Sequence, residues 1–219
     1  TMQLIGANLG HGVYVHGEGT DHNIVGRNMV GLPAVFPLAV GMTDIGNGGA
    51  GVAVACDDTK TSGPRNLAID QNIVGSNSSA TDPFSAGILV VATNLAAGEV
   101  CSTLTRITNN QVGADIEFNQ GTASLPNGGR GILLSDVSDV TVTGDNWIHG
   151  ESVGIELRRA ASNRISSLVV SESVTTGAYI LDSIDNRVVM TDVYDGTGDG
   201  VIIEGGSQNL ISESSILGS

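Results

Sequence analysis

Three charged residues recur at one interval in the C-terminal part of this 219-residue chain: Asp136, Arg159 and Asp182, with 159 − 136 = 23 and 182 − 159 = 23. If each interval is one layer of stacked strands, the three side chains form a column of acid, base and acid. The two carboxylates are then separated by two layers, about 9–10 Å. That approaches the roughly 6.5–9.5 Å between the carboxyl groups of inverting glycosidases. An arginine between them can bind a sugar carboxylate or, in a lyase, act on the acidic proton of the substrate. Glu156 and Arg158, with Tyr179 and Ser135 from neighbouring layers, are the further polar groups expected on this surface. The competing reading is a solvated ladder that cancels its own charge.

Other signals are weaker. Gly10-His11-Gly12 and Asp57-Asp58 look like the GHG and DD motifs of polygalacturonases, but in the reverse order. His16 and Tyr14 are expected on the outside of the first full repeat. Asp192, Asp195 and Asp199 gather in one Gly-rich turn and offer hard oxygen ligands for Ca²⁺. Thr197 breaks the full Ca²⁺-loop pattern, so a plain Asp-Gly turn competes and no cofactor is otherwise expected. Asn77-Ser78-Ser79 is a glycosylation sequon. Zinc-ligand spacing, a phosphate loop, a nucleophile elbow and a dinucleotide fingerprint are absent from the sequence.

The elements that must position these residues are repeats. Gly131, Gly154, Gly177 and Gly200 each open an alternating apolar run, again at intervals of 23. Gly12-Val13-Tyr14-Val15, Gly51-Val52-Ala53-Val54 and Gly87-Ile88-Leu89-Val90 are earlier copies at longer spacing. Nine residues after the later glycines stand Asn163, Asn186 and Asn209, and Asn23 and Asn66 continue the theme. Asparagine tolerates left-handed backbone geometry and suits a corner repeated in every coil, and stacked asparagine side chains can also form a ladder. Period-2 alternation puts Ile155 and Leu157 inside and Glu156 and Arg158 outside.

These coils, with the phrase Asn23-Ile24-Val25-Gly26-Arg27-Asn28-Met29-Val30-Gly31, resemble the parallel β-helix repeats of the pectate-lyase-like superfamily, particularly secreted bacterial surface proteins. The resemblance implies an all-β, right-handed, single-stranded parallel β-helix over 1–219, with three short strands per coil. It spans lyases, hydrolases and adhesins, so it is poor in functional content. The regular coils occupy 131–219, and five insertions interrupt the rhythm at 32–49, 57–64, 76–86, 92–101 and 119–130. Cys56 opens one corner insertion and Cys101 closes the next, which predicts a disulfide between adjacent coils and an oxidising compartment. Both ends read as half coils, which suggests a segment of a longer solenoid or ends covered by partners.

Bulk properties bound the function. A formal charge of −14 and a pI of about 4.3 oppose nucleic-acid binding. No apolar run approaches the roughly 20 residues of a membrane-spanning helix, and Thr1-Met2-Gln3-Leu4-Ile5 lacks the features of a secretory leader. Aromatic residues make up 3%, with Trp147, Tyr179 and Tyr194 the rings available to stack on sugars. The expectation is an extracellular or cell-surface module that binds a polysaccharide or cell-surface glycan, or that serves as scaffold or adhesin. The alternative is a polysaccharide lyase or glycoside hydrolase using Asp136, Glu156, Arg159 and Asp182. End-to-end or lateral self-association is a further expectation. Because the regular coils carry no insertions, any groove over the charged column is predicted to be shallow.

Overall fold

The computed structural model describes residues 2–32, 46–56, 63–77, 83–96, 98–113 and 126–218. Successive coils lay strand on strand, and every pairing is parallel. The first face is a seven-stranded sheet that begins with Val13–His16 and ends with Asp199–Glu204. Second-face strands such as Ile24–Gly26 and third-face strands such as Asn28–Val30 follow in each coil. In the later coils these two fuse into single bent strands, Arg164–Ser171 and Arg187–Gly196. The protein is therefore a parallel β-helix. Among the described residues no helix is long and apolar enough to cross a membrane.

The glycine column has a packing cause. Gly12, Gly51, Gly87, Gly131, Gly154 and Gly177 stack at the start of the first face. A Cβ on Gly154 would lie 2.3 Å from Val170 Cγ1 and 2.5 Å from the Gly177 carbonyl oxygen. The same clash recurs with Val30, Val74, Val112, Ile148 and Val193 in the other coils. First and third faces thus approach so closely that only a residue without a side chain fits. The interior beside them is a stack of Val, Ile and Leu, including Ile132, Ile155, Ile107, Val142 and Ile165, all with 0% exposure.

Corners are turned through left-handed residues. The one leading into the second face is His22, Asn66, Leu104, Asp139, Ser162, Asp185 or Gln208 in successive coils, with φ between 47° and 61°. This corrects the expected role of asparagine. Asn163, Asn186 and Asn209 come one residue after the left-handed position, and Asn66 belongs to the earlier column. Their amides form the ladder expected of stacked asparagines: Asn163 Nδ2 donates to Asn186 Oδ1 and Asn186 Nδ2 to Asn209 Oδ1, each at 3.0 Å. Asn23 occupies an equivalent place but is exposed.

Two further ladders fill the other corners. Asn28, Asn72, Asn110 and Asn146 are linked amide to amide at 3.0–3.1 Å between the second and third faces. Asn8, Asn47, Asn77 and Asn127 are linked at 2.6–2.9 Å before the first face. The last three lie in segments expected to be surface insertions, yet Asn77 and Asn127 have 0% exposure. Asn77 Nδ2 also donates to the carbonyls of Val30 and Gly75, so the sequon asparagine is a buried corner residue with its amide committed. The rest of that sequon, Asp57, Asp58, and residues 33–45, 57–62, 78–82 and 119–125 of the expected insertions lie outside the described residues.

The expected alternation holds on the first face, but its outward positions are not all exposed. Ala53, Leu89 and Leu133 point away from the coil interior but are buried in a second apolar cluster with Phe84 packed against it. Glu156 follows Leu133 in that outward column and is 1% exposed, not solvated. Arg130 and Arg158 clamp its carboxylate from both sides, the latter with Nη2 at 2.6 Å and Nε at 2.8 Å.

The third amide ladder ends on a carboxyl group. Asn127 donates its backbone N–H to both Glu151 oxygens at 3.0 Å and its Nδ2 to Oε1 at 2.8 Å. Glu151 is fully buried, and desolvation lifts its pKa from 4.5 to about 7 against the lowering effect of the Asn127 bonds. The folded state therefore holds this proton more tightly than the unfolded chain. The contribution of Glu151 to stability is greatest below pH 4.5, declines as pH rises toward 7, and is flat beyond, a loss of about 3 kcal/mol.

Melting temperature measured from pH 5 to pH 8 is expected to fall, after subtraction of the general charge effect given by Glu151→Gln. That variant should be the more stable protein at pH 8; parallel curves for the two proteins would refute the buried-carboxyl account. Gly154→Ala should lower the denaturation midpoint by about 1–3 kcal/mol equivalent through overpacking against Val170. An unchanged midpoint in urea would show that the close approach is not what selects glycine.

Candidate functional site

The charged column is set by strand register. Ser135, Arg158 and Leu181 pair across the ends of three first-face strands, so the residues that follow, Asp136, Arg159 and Asp182, stack at one corner. Each takes a left-handed conformation, with φ of 58°, 46° and 49°. Each also donates its backbone N–H to the next coil, at 2.8–2.9 Å. Aspartate adopts this geometry more readily than arginine.

Arg159 grips Asp136 through two parallel bonds, Nε to Oδ1 at 2.6 Å and Nη2 to Oδ2 at 2.7 Å. Ser135 Oγ donates to Asp136 Oδ2 at 2.7 Å, so both Asp136 oxygens are committed. The hydrogen bond to Asp136 is the main cause that pushes the Arg159 pKa above its already high ordinary value, with Asp136 and Asp182 charges assisting. Arg159 therefore stays cationic and serves as a donor, not as a proton acceptor. Its side chain is half exposed, at 55%.

A cleft of about 630 Å³ opens beside this column, lined among others by Leu95, Glu99, Val100, Asp136, Arg159 and Asp182. The groove predicted to be shallow has a wall after all. It comes from the insertion at 92–101 in an earlier coil, which leans along the solenoid axis. Leu95 packs against the main core, Asn94 takes a left-handed turn at φ 59°, and Glu99 N–H donates to the Ala96 carbonyl at 3.0 Å. At its end Cys101 is joined to Cys56 as a disulfide, with Cα atoms 6.6 Å apart and both residues buried. Ala160, Ala161 and the exposed Ile184 supply an apolar floor.

The other candidates fall elsewhere. Glu156 is not in the cleft but sits between its two arginines on the first face. Tyr179 donates its hydroxyl to Glu204 Oε2 at 2.6 Å, and that bond raises its pKa. His11 Nδ1 accepts the Ala50 N–H at 2.9 Å, a structural role for the GHG-like histidine. Tyr14 stacks on His16 with ring centroids 4.8 Å apart. Asp192, Asp195 and Asp199 are exposed and do not converge; among the described residues no group of three or more His, Cys, Asp or Glu side chains is placed to hold a metal. The sequence marks 92–101 as an insertion, but not that residues 93–96 and 98–100 wall this cleft.

The arrangement is a line of carboxylate, guanidinium and carboxylate above an apolar strip, with the first two bonded to each other.

Residues 99–219 match the family described as the right handed beta helix region. No curated protein matches the chain. A similar solved structure is PfbA, a surface adhesin of Streptococcus pneumoniae, at 10% identity and a TM-score of 0.32, over 97% of this chain and 72% of that one.

The disulfide closes a loop of 45 residues, for which chain entropy gives about 4 kcal/mol. Reduction, or the double variant Cys56→Ser/Cys101→Ser, should lower the melting temperature and speed hydrogen exchange in 93–100. Unchanged exchange there would show that the wall does not depend on the bridge.

Proposed function

Because the chain belongs to the right-handed β-helix family, we propose that it is a rigid surface module that holds a hydroxyl-rich glycan in the cleft over Asp136, Arg159 and Asp182. The observation that carries this reading is the cleft itself, a walled space on a charged column with an apolar floor. Its charged lining is Glu99, Asp136 and Asp182 against Arg159. Three acids facing one base, on a chain of net charge −14, favour a neutral glycan over an acidic one. The disulfide fits an oxidising, extracellular setting.

Catalysis is the weaker reading. Asp136 has both oxygens occupied and Arg159 cannot take a proton, so the column lacks a free acid and base pair. The test is a screen of neutral and acidic glycans for binding, with polymer shortening assayed in parallel. Asp182→Asn and Arg159→Asn retain a residue that tolerates the left-handed corner. Each should weaken binding of a neutral glycan more than tenfold with little change in melting temperature. Binding indifferent to both changes, or absent throughout, would remove the cleft reading, and shortening of the polymer would restore the hydrolase or lyase.

A further inference from the structure

The third face carries a second cleft that the charged column does not share. It encloses about 230 Å³ and is lined by Asp145, Asn146, Trp147, Val169 and Tyr194. Register explains the grouping. Trp147 pairs with Val169, Val169 with Asp192, and Ser171 with Tyr194, so three successive coils contribute neighbouring outward side chains. Asn146 is committed to its amide ladder. The walls are the Trp147 indole and the Tyr194 ring, with Val169 between them and the Asp145 carboxylate at the rim.

The indole is held in place from behind. Trp147 Nε1 donates to Ser171 Oγ at 3.1 Å, and Ser171 Oγ lies 3.0 Å from His149 Nδ1. The Ser171 oxygen can accept a second bond as well as donate one, so this contact joins the two side chains whichever imidazole tautomer is present. His149 Nε2 then faces the Glu172 carboxylate at 3.6 Å. Ser171 and His149 are buried, so this chain of contacts fixes the ring without occupying the cleft.

The charge that lines the cleft is negative. Asp145 is exposed in its lining, Asp192 is exposed and pairs with Val169 in the next coil, and no lysine or arginine lines it. Aromatic faces present negative charge density, and the carboxylates add to it. The complementary occupant is a cation. The volume is below the roughly 300 Å³ at which drug-sized sites begin, so the occupant is a small group. An apolar lining disfavours a strongly hydrated metal ion or primary ammonium, whose water it cannot replace. An alkylated ammonium, with diffuse charge and methyl groups that pack on rings and valine, meets both demands.

We propose that this cleft binds a small alkylated ammonium group. The inference is independent of the glycan reading, because it concerns another face and other residues. Trp147 is the only tryptophan in the chain, so its emission reports on the cleft alone. Titration with choline and with a trimethyllysine peptide should give a saturable change in emission, and the tighter of the two identifies the carrier. The neutral isostere 3,3-dimethylbutanol should give none. Asp145→Asn and Tyr194→Leu should each weaken the response about fivefold to tenfold, with unchanged melting temperature. No response to either cation, an equal response to the neutral isostere, or a response to a neutral oligosaccharide alone would overturn the proposal.

Discussion

Everything in this molecule follows from the demand that each coil lie in register on the one before it. Parallel pairing gives every coil the same three-sided path, and the path turns through left-handed residues at fixed places. Once the path is fixed, equivalent residues form columns, and a column tolerates only what stacks. Glycine is forced where two faces meet too closely for a Cβ. Amides are favoured where a buried corner leaves backbone groups that need partners, because each amide can donate to its neighbour above and accept from the one below.

The same rule generates both candidate sites without any special machinery. A column at a corner becomes a line of charges when its residues are Asp136, Arg159 and Asp182. A column on a flat face becomes an aromatic and acidic surface when its residues are Trp147, Val169 and Asp192. The glycan cleft needs one thing the columns do not provide, a wall, and a short insertion in an earlier coil supplies it. Regular coils and irregular loops thus divide the labour: the coils set spacing, and the loop gives depth.

Much of this was legible in the sequence where the interval is constant. Glycines at 131, 154, 177 and 200, and asparagines at 163, 186 and 209, mark the path because no loop interrupts them. The stack of Asp136, Arg159 and Asp182 was readable for the same reason. The ladder of Asn8, Asn47, Asn77 and Asn127 was not, since variable loops scatter its members through segments that look like turns. Glu156 misled because alternation assigns a side of the sheet and not its exposure, and two arginines from its own and the preceding coil close over it. The cleft wall escaped because a loop's lean along the axis depends on Leu95 finding the core, which no local pattern encodes.

The amide ladders have an uneven distribution along the rod. Those through Asn28 to Asn146 and Asn8 to Asn127 stitch the N-terminal coils, and both stop as the strand Val153–Arg158 begins. The ladder from Asn163 to Asn209 starts in that same coil. Stability in such a stack is a sum over nearest-neighbour interfaces, and opening follows the weakest one. The two sets thus meet near one coil, and strand pairing runs through it without a break, Ile132 against Ile155 and Trp147 against Val169. The aromatic cleft straddles this change of ladder, drawing Trp147 from before it and Val169 and Tyr194 from after it.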